Sequence, residues 1–233
     1  MACPTTCRGR GDQRRPGGRH VRPGLLAALV LTVGAAFPSG SAAQIAWDTP
    51  RLVGPNSPGG LGLYWLRAGT LPGDNDALLG RWTLPSTGHS VALQGGFGQG
   101  VAEEDAAFGG IDLRAPIARH TDTQPLDIEW TGGLGVGIGL GDTGYILGSV
   151  PVAISAGRAW SSGAVWFSPY VSFGGVFEYR HGDDAPEEEF AFDSIVGVGL
   201  DLAFDEGRNF VLSASAALGD RQAIAVGLVL GGG

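Results

Sequence analysis

The sequence predicts an all-β chain that closes as an antiparallel, up-and-down transmembrane β-barrel of about ten strands, with eight as the alternative count. Three observations carry this. The first is the stretch 128–140, IEWTGGLGVGIGL. Ile128, Trp130, Leu134, Val136, Ile138 and Leu140 share one parity there, and Glu129, Thr131, Gly133, Gly135, Gly137 and Gly139 share the other. Successive side chains of an extended chain point to opposite faces, so one face is apolar and the other small or polar. The run exceeds the ~5–6 residues of an ordinary strand and reaches the ~9–11 that a tilted strand needs to cross a bilayer. Glycine at alternate positions would cost a helix about 1 kcal/mol each relative to alanine. The second observation is that the same alternation recurs along the chain between turn signals. The third is that no run of 18 apolar residues follows residue 43, so no transmembrane helix is expected.

The N-terminus reads as an export signal. Residues 1–22 carry Arg8, Arg10, Arg14, Arg15, Arg19 and Arg22 against one acid, Asp12, and an apolar run spans Leu25 to Phe37. Ser41-Ala42-Ala43 supplies the small residues that a signal peptidase reads, so cleavage is expected before Gln44. The organisation expected is therefore a cleaved signal peptide (1–43), an irregular lead-in (44–60) and a barrel (61–233). Both cysteines, Cys3 and Cys7, fall in the signal, which leaves the mature chain without a disulfide, a thiolate metal site or a cysteine nucleophile. Six of the 15 basic residues and one of the 23 acids lie in residues 1–43, leaving nine against 22, a net charge of −13. Such an acidic chain is not a nucleic-acid binder, because that affinity rests on neutralising phosphates.

The elements follow in order. The lead-in holds Pro50, Gly54, Pro55, Pro58, Gly59 and Gly60 and lies in the periplasm or tucked into the barrel mouth. A first strand, 61–68, alternates poorly. The second, 77–84, sets Leu78, Trp82 and Leu84 against Arg81 and Thr83. The third, 89–98, sets Val91, Leu93 and Phe97 against Ser90, Ala92 and Gln94, and the acidic loop 99–106 follows. The fourth, 108–118, sets Ile111, Leu113 and Ile117 against Asp112 and Arg114. After a polar connection at 120–127 comes the strand 128–140. The next, 145–156, contains Pro151, which weakens it or places a bulge there. Turns at 161–163, 205–207 and 219–220 and the acidic loop 180–189 separate the remaining strands, 164–179, 190–204, 209–218 and 222–230.

Ten strands give the even count that a closed bacterial barrel requires. With both ends in the periplasm, the acidic loops 99–106 and 180–189 fall outside the cell and the turns at 85–88, 161–163 and 205–207 fall inside, which is the expected asymmetry. Losing the weak first pair would leave eight. Asp112, Arg114, Glu129, Glu178, Asp193 and Asp201 all lie on the parity opposite the apolar face, and are the candidate lumen-facing residues. A charge facing lipid near the midplane would cost about 2–4 kcal/mol. A secreted soluble β-sandwich would show the same alternation. Its solvated face, however, would not be dominated by Gly, Ala and Ser, which suit a crowded, curved lumen. Trp82, Trp130, Trp160, Trp166, Tyr145 and Tyr179 lie near strand ends, where interface girdles are expected.

The export signal, the glycine-rich alternating strands and the long-outside, short-inside connections of residues 61–230 resemble the small outer-membrane barrels of the OmpA/OmpX kind. The resemblance implies fold and membrane. Barrels of that kind usually end in an aromatic residue that resembles an insertion signal; this sequence ends Leu228-Val229-Leu230-Gly231-Gly232-Gly233.

No catalytic constellation stands out. His89 adjoins Ser90, but strand neighbours point to opposite faces and cannot form a dyad. His181 precedes Asp183 and Asp184 in an outer loop where nothing fixes an acid/base or metal geometry. Glu103-Glu104-Asp105 and Glu187-Glu188-Glu189 lack the spacing of a calcium loop. The glycine runs are not dinucleotide fingerprints, because no helix pattern follows them. The expected function is that of a small outer-membrane barrel with a structural or surface-exposed role, not an enzyme, without metal or cofactor. Its expected partners are outer-membrane lipid, lipopolysaccharide and the barrel insertion machinery. The alternatives are a narrow channel or passive transporter lined by the six charged residues, a barrel hydrolase, and the soluble sandwich.

Overall fold

A computed structural model describes residues 54–68, 76–84, 88–99, 105–141, 144–182 and 190–231. The expected signal peptide, the first part of the lead-in and most of the acidic loop residues lie outside these. The strands are β1 (Gly60–Ala68), β2 (Asp76–Thr83), β3 (Ser90–Gln99), β4 (Asp105–Ala118), β5 (Asp127–Gly139) and β6 (Tyr145–Gly157). They continue as β7 (Trp160–Ser162), β8 (Val165–Gly182), β9 (Phe190–Ala203), β10 (Phe210–Gly219) and β11 (Ala223–Gly231). Each long strand pairs antiparallel with its sequence neighbours. The circle closes where β1 meets β11, from Gly60↔Gly231 to Ala68↔Ala223, and where β6 meets β8. β7 is a three-residue extension that folds back on the start of β8, around a turn in which Gly163 takes a φ of 61°. The wall is thus a ten-stranded, closed, up-and-down barrel, as the alternation requires.

Closure leaves no sheet edge along the wall, the condition for a β-structure to sit in hydrocarbon. The apolar parity faces outward all the way round. Leu63, Phe97, Leu134, Ile154, Phe173 and Leu212 are exposed, Phe173 by 69%. A soluble sandwich would turn these residues toward a core; here they form a continuous belt, which is a lipid-facing surface. The weak alternation of β1 resolves the same way, with Leu61, Leu63 and Trp65 outside and Tyr64, Leu66 and Ala68 inside.

Two local expectations need correction. Pro151 does not bulge β6. Its pairing with β8 runs on unbroken through Pro151↔Val176, and on the β5 side the ladder lapses at residues 133–134 and 150–151 without a change of register. Of the two alternatives, Pro151 therefore weakens the β5–β6 ladder locally and does not add a residue to the strand. The bulge lies instead at Pro116–Ala118, where the register of β4 against β5 shifts by one residue. Second, Trp166 and Tyr145 are not girdle residues. Both sit on the inward parity and are buried, whereas Trp82, Trp130, Trp160 and Tyr179 are exposed outside. In the turn after β9, Arg208 takes a left-handed conformation (φ 51°), and its guanidinium lies over the Trp166 ring.

Candidate functional site

The inward face is the site the fold builds, and it is crowded. Leu79, Val211 and Ser168 are essentially inaccessible to solvent, as are Tyr64, Tyr170, Asp201 and Arg221. Large rings achieve this by lying across inward glycines on neighbouring strands. Tyr64 occupies the space a side chain at Gly227 would need, and Tyr170 does the same at Gly199 and Tyr145 at Gly139. The small inward parity that the sequence offered as empty room is filled from next door.

The charged residues fall into separate groups. On β2–β5, the Arg81 guanidinium donates to Asp112 and, at 3.2 Å, to Gln94. Arg114 donates to the Ser90 hydroxyl at 2.8 Å and forms an ion pair with Glu129 at 3.7 Å. At the loop end, Glu178 accepts from Arg180 and lies 2.5 Å from Arg221, whose Nε reaches Asp193 at 2.6 Å. Glu178 and Arg221 are buried, and Asp193 is partly exposed at the rim. Asp201 stands at the other end, on β9, and accepts from the Ser57 hydroxyl. The structure therefore brings Asp112, Arg114 and Glu129 together, pairs Glu178 with Asp193 through Arg221, and keeps Asp201 apart. A buried charge is costly unless paired or hydrogen-bonded; five of the six stand in ion pairs, Asp201 has the Ser57 hydroxyl, and Glu129 Oε1 makes no hydrogen bond.

The lead-in supplies part of this site. Gly54 and Pro55 are buried within the mouth at the end where the chain enters β1. Ser57 N donates to the Gly54 carbonyl at 3.1 Å and Gly54 N donates to the Ser57 hydroxyl at 2.8 Å, closing a tight turn. Asn56 Nδ2 donates to Asp127 at 3.0 Å, and Asp127 also accepts from the His120 backbone N–H at 2.8 Å. Asp127 is thus the first inward residue of β5 rather than part of the polar connection.

The site also holds Arg81, which the alternation puts on the inward parity, and Arg180 and Arg221, which fall outside the expected strands. A signal existed for both. Arg180 continues the parity of Glu178, and Arg221 shares the parity of Ala223, Ala225 and Gly227. Of the two placements expected for the lead-in, residues 54–57 take the one tucked into the mouth, though nothing in Gly54-Pro55-Asn56-Ser57 names the partners it reaches.

Outside the lumen, His89 and His181 are exposed, His181 stacked on Tyr179, and the His120 ring contacts the Gln124 carbonyl at 2.8 Å. Among the described residues no three His, Asp or Glu side chains converge as a metal site. Beside β9, the Ser194 backbone N–H and then its hydroxyl donate to Asp220, which holds that carboxyl below the usual carboxylate range.

No protein-family profile matches the chain. No curated protein matches its sequence either. Among solved structures, it is similar to the β domain of the Bordetella autotransporter BrkA, at 12% identity and a TM-score of 0.45, over 76% of this chain and 100% of that one. It is also similar to the KdgM porin, at 10% identity and a TM-score of 0.35, over 74% of this chain and 99% of that one.

Proposed function

We propose that this chain is an outer-membrane barrel with a structural or surface-exposed role, whose lumen is closed by its own side chains. The observation that carries this reading is the burial of the inward face. Arg81–Asp112, Arg114–Glu129 and Arg221–Glu178 pairs, together with the Tyr64 and Tyr170 rings, occupy the space a passage would need. A water-filled channel would leave its lining accessible; a small barrel filled by side chains does not. The filled lumen is also the point of likeness to the OmpA/OmpX kind. In this reading the wall is a rigid mount, the connections at the loop end meet the outside, and the belt contacts outer-membrane lipid and lipopolysaccharide. The barrel insertion machinery delivers the chain, and it has no catalytic role.

The test is conductance in planar bilayers. Protein extracted from the membrane fraction, with heat-modifiable gel mobility as the mark of a closed barrel, is expected to give no steady conductance. Reproducible steps that scale with salt would replace this reading with that of a narrow channel.

A further inference from the structure

The ladder that closes the barrel begins at Gly60↔Gly231, so the chain before Gly60 could leave the wall directly for the aqueous phase. It does not. Residues 54–57 reach the opposite side of the mouth and contact strands that are not neighbours of β1. Asn56 reaches Asp127 on β5, Ser57 reaches Asp201 on β9, and Gly54 rests against the Tyr170 ring on β8. The Arg114 guanidinium donates to the Gly54 carbonyl at 3.5 Å, and that of Arg119 to the Pro55 carbonyl at 3.4 Å. The anchors run from β4 round to β9.

We infer that Gly54-Pro55-Asn56-Ser57 is a displaceable strap that seals the mouth of the lumen at the end where the chain enters. Its own turn preorganises it, so docking orders few free torsions. It is joined to the wall by side-chain contacts, whereas every strand is held by a ladder. It therefore releases in a local opening far less costly than melting the barrel. The groups it leaves behind at the mouth include Arg114, Arg119, Asp127 and Asp201. The inference sharpens the closed-lumen reading at one end. Its test reads access from that end alone, so the outcome does not depend on whether the lumen conducts.

The thiol-free mature segment permits a direct experiment. In the full chain with Cys3 and Cys7 changed to serine, Ser168→Cys places one reporter on the inward face, opposite Asp201 in the β8–β9 register. A water-soluble maleimide is expected to label it slowly, and Asn56→Ala with Ser57→Ala to raise the rate about tenfold or more, since the bonds to Asp127 and Asp201 are lost together with the one that Ser57 accepts from Gly54 N. A second reporter, Ser149→Cys, sits on the inward face of β6 toward the loop end and is expected to keep its rate. Deleting residues 44–57 is expected to reproduce the first increase. An unchanged rate at residue 168 in a barrel that keeps its heat-modifiable mobility would overturn the strap. So would an equal rise at both reporters, which would mean that the whole wall had loosened.

Discussion

The two ends of the barrel are closed by different means. At the entry end a backbone turn is drawn across the mouth and held by Asn56–Asp127 and Ser57–Asp201, above the Tyr64 and Tyr170 rings. At the loop end no backbone crosses among the described residues. A single buried guanidinium, Arg221, hangs inward from the β10–β11 turn between Glu178 and Asp193, and Arg180 adds a second cation to Glu178. The first closure is made of many small neutral or singly charged contacts and can fail in parts. The second concentrates opposite charges at one desolvated point, where removing one partner strands the others. Cohesion in the same lumen is therefore distributed at one end and focal at the other.

This contrast can be broken most severely at its focal side. Arg221→Met leaves Asp193 without its cation and Glu178 with one of two. It is expected to lower stability by roughly 3–5 kcal/mol, as the removal of one partner of a buried pair does. The midpoint of the heat-modifiable transition measures it, and a loss below about 1 kcal/mol would sink the focal account. The packing at the entry end is tested by Gly227→Ala, which drives a methyl group into the Tyr64 ring across the β1–β11 seam. A cost of about 1–3 kcal/mol is expected. Tyr64→Leu in the same chain should recover part of it, and strict additivity of the two changes would remove the ring-on-glycine account.

The smallest expected effect concerns pH. Asp220 has its carboxyl held low by Ser194, so the contribution of this contact is complete above the unfolded carboxylate pKa of about 3.9. It is lost as the pH falls through the lower native value. The protection of the Ser194 amide, taken relative to its intrinsic exchange rate at each pH, should fall on acidification below about pH 4, while Asp220→Asn removes that pH dependence.

The parity rule explains what was legible and what was not. Each long strand could be read because lipid outside and a filled lumen inside impose opposite demands on alternate residues, so 128–140 or 164–179 declares its faces directly. For Trp166 and Tyr145 parity outranks nearness to a strand end; both are on the inward side by simple counting from Ser168 and Leu147. Arg221 was hidden because Gly219-Asp220 reads as a turn, although the inward parity of β11 extends back to it. The β4 bulge had the same kind of ambiguity: Pro116 and Pro151 are both strand prolines, and only the pairing of both neighbours decides which one disturbs the register. That the lead-in tucks into the mouth is one of the two courses its composition allows, but its partners are not legible, since the contacts with Asp127 and Asp201 join residues 71 and 144 positions apart with no periodicity to link them.

The ring of Tyr64 resting on Gly227 has a consequence for how the circle is completed. β1 and β11 are the first and last strands, so their junction forms between the most distant parts of the wall and has the fewest local cues. A slip of one residue would turn a strand's apolar face inward. A slip of two keeps the faces correct and is the error that alternation alone does not forbid. It would set Tyr64 opposite Ala225 or Val229 instead of Gly227, with a β-carbon where the ring must lie. The glycine thus serves as a keyway at the final seam, accepting the tyrosine in one alignment and excluding the two nearest alternatives.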